Sequence, residues 1–268
     1  MTVLKTRRIA VICAFLSSMG ITSLMPEKLH AESLPETIKE IKPSIVGIGT
    51  IQATRTPKAK LSATGFIVGN GTIVATNAHV VSDSINDENN EQRVIFVGTG
   101  QNPEIRYVKD ILTNQEHDLA LLKIDGKPLP ALRLGDSDKV LEGHVYAFTG
   151  FPIGAVLGLY PATHRAMVSA IAPIVIPVNQ SSQLNTKLIH MLRSPFKIFQ
   201  LDGTAYPGNS GSPLYDPQSG EVFALINMVF VKEGRENVLS NPSGISFAIP
   251  INYLTELLSN NENFIIGH

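Results

Sequence analysis

Three short segments of this 268-residue chain hold side chains that can do chemistry together. Thr76-Asn77-Ala78-His79-Val80-Val81 offers an imidazole, and His117-Asp118-Leu119-Ala120-Leu121-Leu122-Lys123 offers a carboxylate. Pro207-Gly208-Asn209-Ser210-Gly211-Ser212-Pro213 offers a hydroxyl between glycines. A serine hydroxyl is a weak nucleophile at neutral pH. It needs a base to take its proton, and the base needs a partner that fixes its tautomer. Imidazole and carboxylate fill those two roles, which makes acyl transfer the chemistry to test for. Glycine on each side of the Asn209-Ser210 pair permits a tight turn. Such a turn aims the amides of Gly208 and Ser210 at one point, an oxyanion hole. One donor of that kind contributes about 3 kcal/mol to transition-state stabilisation. Taken singly, each segment has an ordinary reading. His79 is a polar residue after a strand, Asp118 a turn residue, and Gly208–Gly211 a run of turn formers. Only the three together, in the order His, Asp, Ser, point to catalysis.

The elements that must position them are short and β-like. Seventeen Pro and 21 Gly are spread along the chain and cut it into brief apolar runs, which predicts an all-β fold. A first set of strands is predicted at Ser44–Thr50, Thr64–Val68, Thr72–Thr76, Arg93–Val97, Arg106–Asp110 and Leu119–Ile124. Gly69-Asn70-Gly71 reads as the turn of a hairpin. Gln52–Ser62 reads as an exposed basic loop and Pro128–Gly143 as a link between two halves. The second set runs over Val145–Thr149, Ala166–Ile171, Val222–Val231 and Gly244–Ile249. Ile251, Leu254, Leu257 and Leu258 share one helical face, so a C-terminal helix is predicted over about 250–259. A short helix before Pro43 is predicted from Leu34, Ile38 and Ile41.

Residues 1–31 read as an export signal: Lys5, Arg7 and Arg8, then an apolar run over Ile9–Leu24, then Leu29-His30-Ala31 as a cleavage site. The run is shorter than the roughly 20 residues of a spanning helix. The expectation is a cleaved leader, no stable membrane insertion afterwards, and a bacterial periplasmic or extracellular destination. The one cysteine, Cys13, lies inside that leader, so the remainder must hold together by its core rather than by disulfides. A 43% hydrophobic and 17% charged composition excludes a disordered chain. Net charge -1 and pI about 6.7 give no basic stripe for nucleic acid.

At this point the sequence resembles the chymotrypsin-fold serine proteases, most closely the bacterial HtrA/Deg branch. Thr76–Val81 is similar to that branch's histidine motif, and Asp118-Leu-Ala-Leu-Leu-Lys-Ile-Asp125 to its aspartate motif. Leu134–Asp138, Gly208–Gly211 and Gly244–Pro250 resemble its following segment, nucleophile motif and last strand. The resemblance spans roughly Ser44 to Leu258. It implies two six-stranded antiparallel β-barrels, at about 44–127 and 143–250, inside a protease domain over 32–268. It assigns His79 as general base, Asp118 as orienting carboxylate, Ser210 as nucleophile, and Gly208 and Ser210 as the oxyanion hole. His117, beside Asp118, receives no family role.

The chain also departs from that pattern. Ser212-Pro213 stands where HtrA proteins have a second glycine, and Ser246 replaces a glycine in the last motif. No PDZ domain is expected after the final helix. Asn209 precedes the nucleophile where digestive proteases carry the aspartate that pairs with a new amino terminus, so activation by that route is not expected. Six residues before the nucleophile the resemblance puts the pocket base, here Thr204, with Ile226, Asn227, Met228 and Ser246 as walls. An uncharged pocket predicts cleavage after Val, Ala or Leu rather than after Lys, Arg or Glu. Asp202 is the one nearby carboxylate that could reverse this, and a turn-capping role is the ordinary alternative for it. No HExxH or CxxC spacing occurs, Gly65–Gly71 fits no nucleotide-binding loop, and the acidic stretch Asp83–Glu91 is an ordinary loop rather than a calcium site. No cofactor or metal is expected, and the partners are polypeptide substrates. Two other functions are weighed against a serine endopeptidase. A catalytically inactive, protease-like polypeptide binder would have no need of all three groups. An α/β-hydrolase esterase would carry a Gly-x-Ser-x-Gly elbow, which is missing here.

Overall fold

Alternation along the short strands decides the architecture. In β3 (Ile73–Thr76), Ile73 and Ala75 face one apolar cluster and Val74 faces another. β6 (Leu119–Ile124) does the same, with Leu119 and Leu121 on one side and Ala120, Leu122 and Ile124 on the other. Such strands are buried on both faces, which is why β6 reads as a nearly unbroken apolar run. One face fills the inside of a barrel, and the other packs against a second barrel.

The structure is a computed structural model and describes residues 33–82, 85, 90–152, 158–173, 196–227 and 244–266. All of them belong to the compact unit Glu32–His268. The expected leader 1–31, most of the acidic stretch 83–91, the stretch 174–194 and Met228 lie outside the described residues.

The first barrel contains β1 (Ile45–Ile51), β2 (Ala59–Val68), β3, β4 (Gln92–Val97), β5 (Glu104–Asn114) and β6. It closes in the order β1-β2-β3-β6-β5-β4. β7 (Val145–Gly150), β8 (Ala162–Pro173), β9 (Lys197–Leu201), β10 (Pro213–Tyr215), β11 (Val222–Asn227) and β12 (Ser246–Pro250) form the second barrel. It closes in the order β10-β11-β12-β9-β8-β7, and every pairing in both barrels is antiparallel. The expected two-barrel all-β class with a C-terminal helix is what the chain forms.

Several details differ from the sequence reading, among them β8, which begins at Ala162 rather than Ala166. β2 begins at Ala59, because three residues of the expected basic loop pair with Gly49–Ile51 of β1. β5 runs on to Asn114. β9 and β10 were not predicted. β9 has apolar residues at Ile198, Phe199 and Leu201 but follows a polar stretch, and β10 is too short to alternate.

Helix α1 (Leu34–Ile41) places Ile41 in the cluster between the barrels, and Thr37 Oγ1 donates to Pro217 O at 2.8 Å. Helix α2 (Ile251–Ser259) buries Ile251, Leu254 and Leu257, as its spacing predicts. Asn252 of α2 ties down the link between the barrels. It accepts from Ser137 N–H at 2.9 Å and donates from Nδ2 to Asp136 at 3.0 Å. A last turn, α3 (Glu262–Ile266), follows.

Candidate active site

His79 and Asp118, the expected acid–base pair, sit at adjoining ends of two paired strands. Thr76, the last residue of β3, is in register with Ala120, the second residue of β6. Chain leaving β3 and chain entering β6 are therefore neighbours, and His79 and Asp118 lie on those two extensions. His79 is held in a 3-10 turn over Ala78–Val81. Asp118 adopts a left-handed backbone, φ 52°, a conformation that Asp tolerates better than most residues. That turn lets its carbonyl accept from Ala78 N–H at 3.1 Å and from Asn77 Nδ2 at 3.2 Å.

The carboxylate of Asp118 then grips His79 twice. Oδ1 accepts from the backbone N–H of His79 at 2.8 Å, and Oδ2 lies 2.6 Å from Nδ1. A carboxylate can only accept, so Nδ1 carries the proton and Nε2 is left as an acceptor. Nε2 is 3.0 Å from Ser210 Oγ. Three residues far apart in sequence thus form one hydrogen-bonded line, hydroxyl to imidazole to carboxylate. Ser210 is 7% exposed, while the His79 side chain keeps 28% of its surface open to solvent.

Ser210 rides on the loop between β9 and β10. Gly208 (φ 101°) and Gly211 (φ 82°) take backbone conformations that strongly favour glycine. A side chain at 211 would also collide with Thr64 O and Thr76 Oγ1. Between them, Asn209 N–H donates to Tyr206 O at 2.9 Å. Among the described residues, the N–H groups of Gly208 and Ser210 make no hydrogen bond. These are the two amides that the sequence leads one to expect at an oxyanion hole. Asn209 itself is fully buried.

The residues expected to shape a specificity pocket divide in two. Thr204 is half-buried on the loop, and Ile226 and Ser246 are fully buried on β11 and β12. Asn227 also reaches the acid–base residues: its Nδ2 donates to Asp118 Oδ2 at 2.7 Å. Sequence reasoning placed Asn227 on a pocket wall and missed this contact. The available signal was a buried-strand position where an amide replaces the apolar residue that alternation leads one to expect. Asp202 is also engaged away from the pocket. It exchanges hydrogen bonds with Met167 of β8, its N–H donating to Met167 O at 3.1 Å and its Oδ1 accepting from Met167 N–H at 2.6 Å.

Two further histidines are held by aromatic rings. His117 stacks on Tyr253 with centroids 4.2 Å apart and meets the edge of Phe196 at 5.0 Å. Burial pushes its pKa below the ordinary value, against the opposing influence of Glu116 and Glu256. His164 stacks on Phe148 at 5.0 Å, and burial lowers its pKa as well. Among the described residues no group of His, Cys, Asp and Glu could hold a metal ion. No helix among them is long and apolar enough to cross a membrane.

Comparison with known proteins agrees with this geometry. Residues 63–225 match the family model of the trypsin-like peptidase domain. A probable periplasmic serine endoprotease, DegP-like, of Pseudomonas putida (strain W619) is 33% identical over 197 residues, which is 74% of this chain and 34% of that protein. A protein of the same description from Halomonas elongata is 32% identical over 187 residues, 70% of this chain and 32% of its own length. The chain therefore spans about a third of the length of the curated relatives it matches. Among solved structures, HtrA-type protease AlgW with a tripeptide superposes with a TM-score of 0.59 at 25% identity, over 85% of this chain and 63% of that one. With the barrels, the hydrogen-bonded line and the family match all in agreement, this chain belongs to the trypsin-like peptidase domain family.

Proposed function

We propose that this chain is an exported serine endopeptidase that cleaves polypeptides through an acyl-enzyme. The observation that carries the proposal is the line from Ser210 Oγ through His79 to Asp118, with contacts of 3.0 and 2.6 Å. In the first step Ser210 Oγ bonds to the carbonyl carbon of the substrate while its proton passes to His79 Nε2. Negative charge gathers on the carbonyl oxygen, where the Gly208 and Ser210 amides receive it. The C–N bond then breaks, and the proton on Nε2 goes to the leaving amine. Water repeats the sequence: it gives a proton to Nε2, its oxygen joins the acyl carbon, and the proton returns to Ser210 as the ester opens. Asp118 keeps Nδ1 protonated throughout and stabilises the imidazolium that forms.

Specificity for uncharged residues before the cut is supported by Thr204, Ile226 and Ser246, none of which carries a charge to pair with Lys, Arg or Glu. The engagement of Asp202 with Met167 supports the same reading, because it turns the one nearby carboxylate toward β8. The leader-like residues 1–31 and the periplasmic description of the relatives support export.

Digestion of a peptide library, alongside labelling by a fluorophosphonate, tests the proposal. Wild type is expected to label at Ser210 and to cut after Val, Ala or Leu, and Ser210→Ala to do neither. A folded wild type that takes no label and cuts nothing would leave a polypeptide-binding role instead.

A further inference from the structure

Thr64 of β2 is fully buried and belongs to the first barrel, yet its hydrogen bonds reach the nucleophile loop of the second. Its Oγ1 donates to Gly208 O at 2.7 Å and accepts from Phe151 N–H at 2.9 Å. The direction is unambiguous, because an amide N–H can only donate and a carbonyl can only accept. Its own N–H donates to Ser210 O at 3.0 Å. Its carbonyl accepts from Thr76 Oγ1 at 2.8 Å, three residues before His79.

These contacts matter because of where Gly208 O lies. The peptide between Gly208 and Asn209 sits between the two amides assigned to the oxyanion hole. Its N–H end is held by Tyr206 O, and its carbonyl end is held by Thr64 alone among the described residues. Gly208, at φ 101°, has no side chain to restrict rotation of that peptide. Gly150 lets the whole group close up. A Cβ there would stand 2.8 Å from Thr64 Oγ1 and 3.0 Å from Asn209 Oδ1, and closer still to Ser212 Oγ.

We infer that Thr64 is a positioning residue for the oxyanion hole, its hydroxyl locking the Gly208–Asn209 peptide so that the flanking amides of Gly208 and Ser210 face one point. The inference rests on the proposed roles of Ser210 and Gly208. It goes beyond them by making a first-barrel side chain responsible for the second barrel's transition-state contacts. An ordinary buried threonine would affect stability and leave the chemical step alone.

The test uses the full chain and the library peptide cut fastest. Thr64→Val keeps shape and loses the hydroxyl. It is expected to lower kcat by about 10- to 100-fold, below the roughly 10²- to 10³-fold cost of deleting an oxyanion donor, because the amides are displaced rather than removed. KM should stay within threefold. A peptide boronate, which forms a tetrahedral adduct on Ser210, should bind at least tenfold more weakly to it. Thr64→Ser keeps both hydrogen bonds and should hold kcat within threefold of wild type. If Thr64→Val does not fold, as judged by near-UV circular dichroism, Thr64→Ala replaces it with the same expectations. A folded Val or Ala variant with kcat within threefold of wild type overturns the inference, and so does a change confined to KM. A folded Thr64→Ser variant that loses tenfold in kcat overturns it as well. Ser210→Ala as active as wild type would instead bring down the serine-protease reading and this inference with it.

Discussion

The two barrels hold their shares of the site in different ways. In the first, His79 and Asp118 extend from the ends of paired strands, and the register Thr76↔Ala120 puts them side by side. Backbone and carboxylate contacts within the same barrel finish the geometry. In the second, Ser210 lies on an irregular loop whose two positive-φ glycines give it little rigidity of its own. Its restraints come from the neighbouring strand β11 and from Thr64 across the interface. Sheet register brings His79 and Asp118 together, and side-chain contacts, one of them from Asn227 of the second barrel, complete their geometry. Ser210 sits on a loop rather than a strand, and that loop is held from outside.

The comparison breaks most completely at the line joining the barrels. Ser210→Ala or His79→Ala should each lower kcat by at least ~10⁴-fold, and the double variant should be little worse than either, because the residues act as a unit. Stopped assays with purified variants would measure this. Additive losses in the double variant would mean that the barrels contribute independently.

A smaller effect is expected where the second barrel reaches back to the first. Asn227→Ala removes one hydrogen bond to a carboxylate, an interaction of about 1.5–3 kcal/mol. A fall in kcat of tenfold or more at near-constant KM is the expected result. Made on top of Asp118→Ala, the same change should cost almost nothing. An Asn227→Ala variant that raises KM and alters cleavage preference would restore the pocket-wall reading.

Asp202 sharpens the contrast on the pocket side. With its carboxylate on Met167 N–H, Asp202→Asn should leave the preference for uncharged residues unchanged in a library digest. New tolerance or loss of Lys and Arg cleavage in that variant would show that the carboxylate visits the pocket.

The mildest prediction concerns stability against pH. Burial lowers the pKa of His117, in contact with α2, and of His164, in the second barrel. Between those lowered values and the free-imidazole value of about 6.5, the unfolded chain binds more protons than the native one. Stability is then complete above about pH 6.5 and declines as pH falls below it. His164→Phe, which keeps the stack on Phe148, should show a smaller drop in Tm between pH 7.5 and pH 5.5 than wild type. An equal drop would put the acid sensitivity elsewhere.

Legibility in the sequence follows the same divide. Five of the first barrel's six strands could be located from short apolar runs bounded by turn residues, while the mixed and largely exposed β5 was caught only in its middle. In the second, β10 has three residues and β9 emerges from a polar stretch, so neither carries a readable period. His79, Asp118 and Ser210 stood out because their flanking motifs are local. Asn227 and Thr64 did not, since each matters through a partner 109 or 144 residues away.

The sequence by itself determined the all-β class, the residues able to do acyl-transfer chemistry and the order in which they occur. It did so because strand alternation, turn residues and motif spacing are properties of neighbours along the chain. Only the tertiary structure decided that Nε2 of His79 comes within 3.0 Å of Ser210 Oγ, that Asn227 donates to Asp118, and that the Asp202 carboxylate accepts from β8. Each of these depends on how two closed barrels pack through one shared apolar cluster, and no local pattern records that packing.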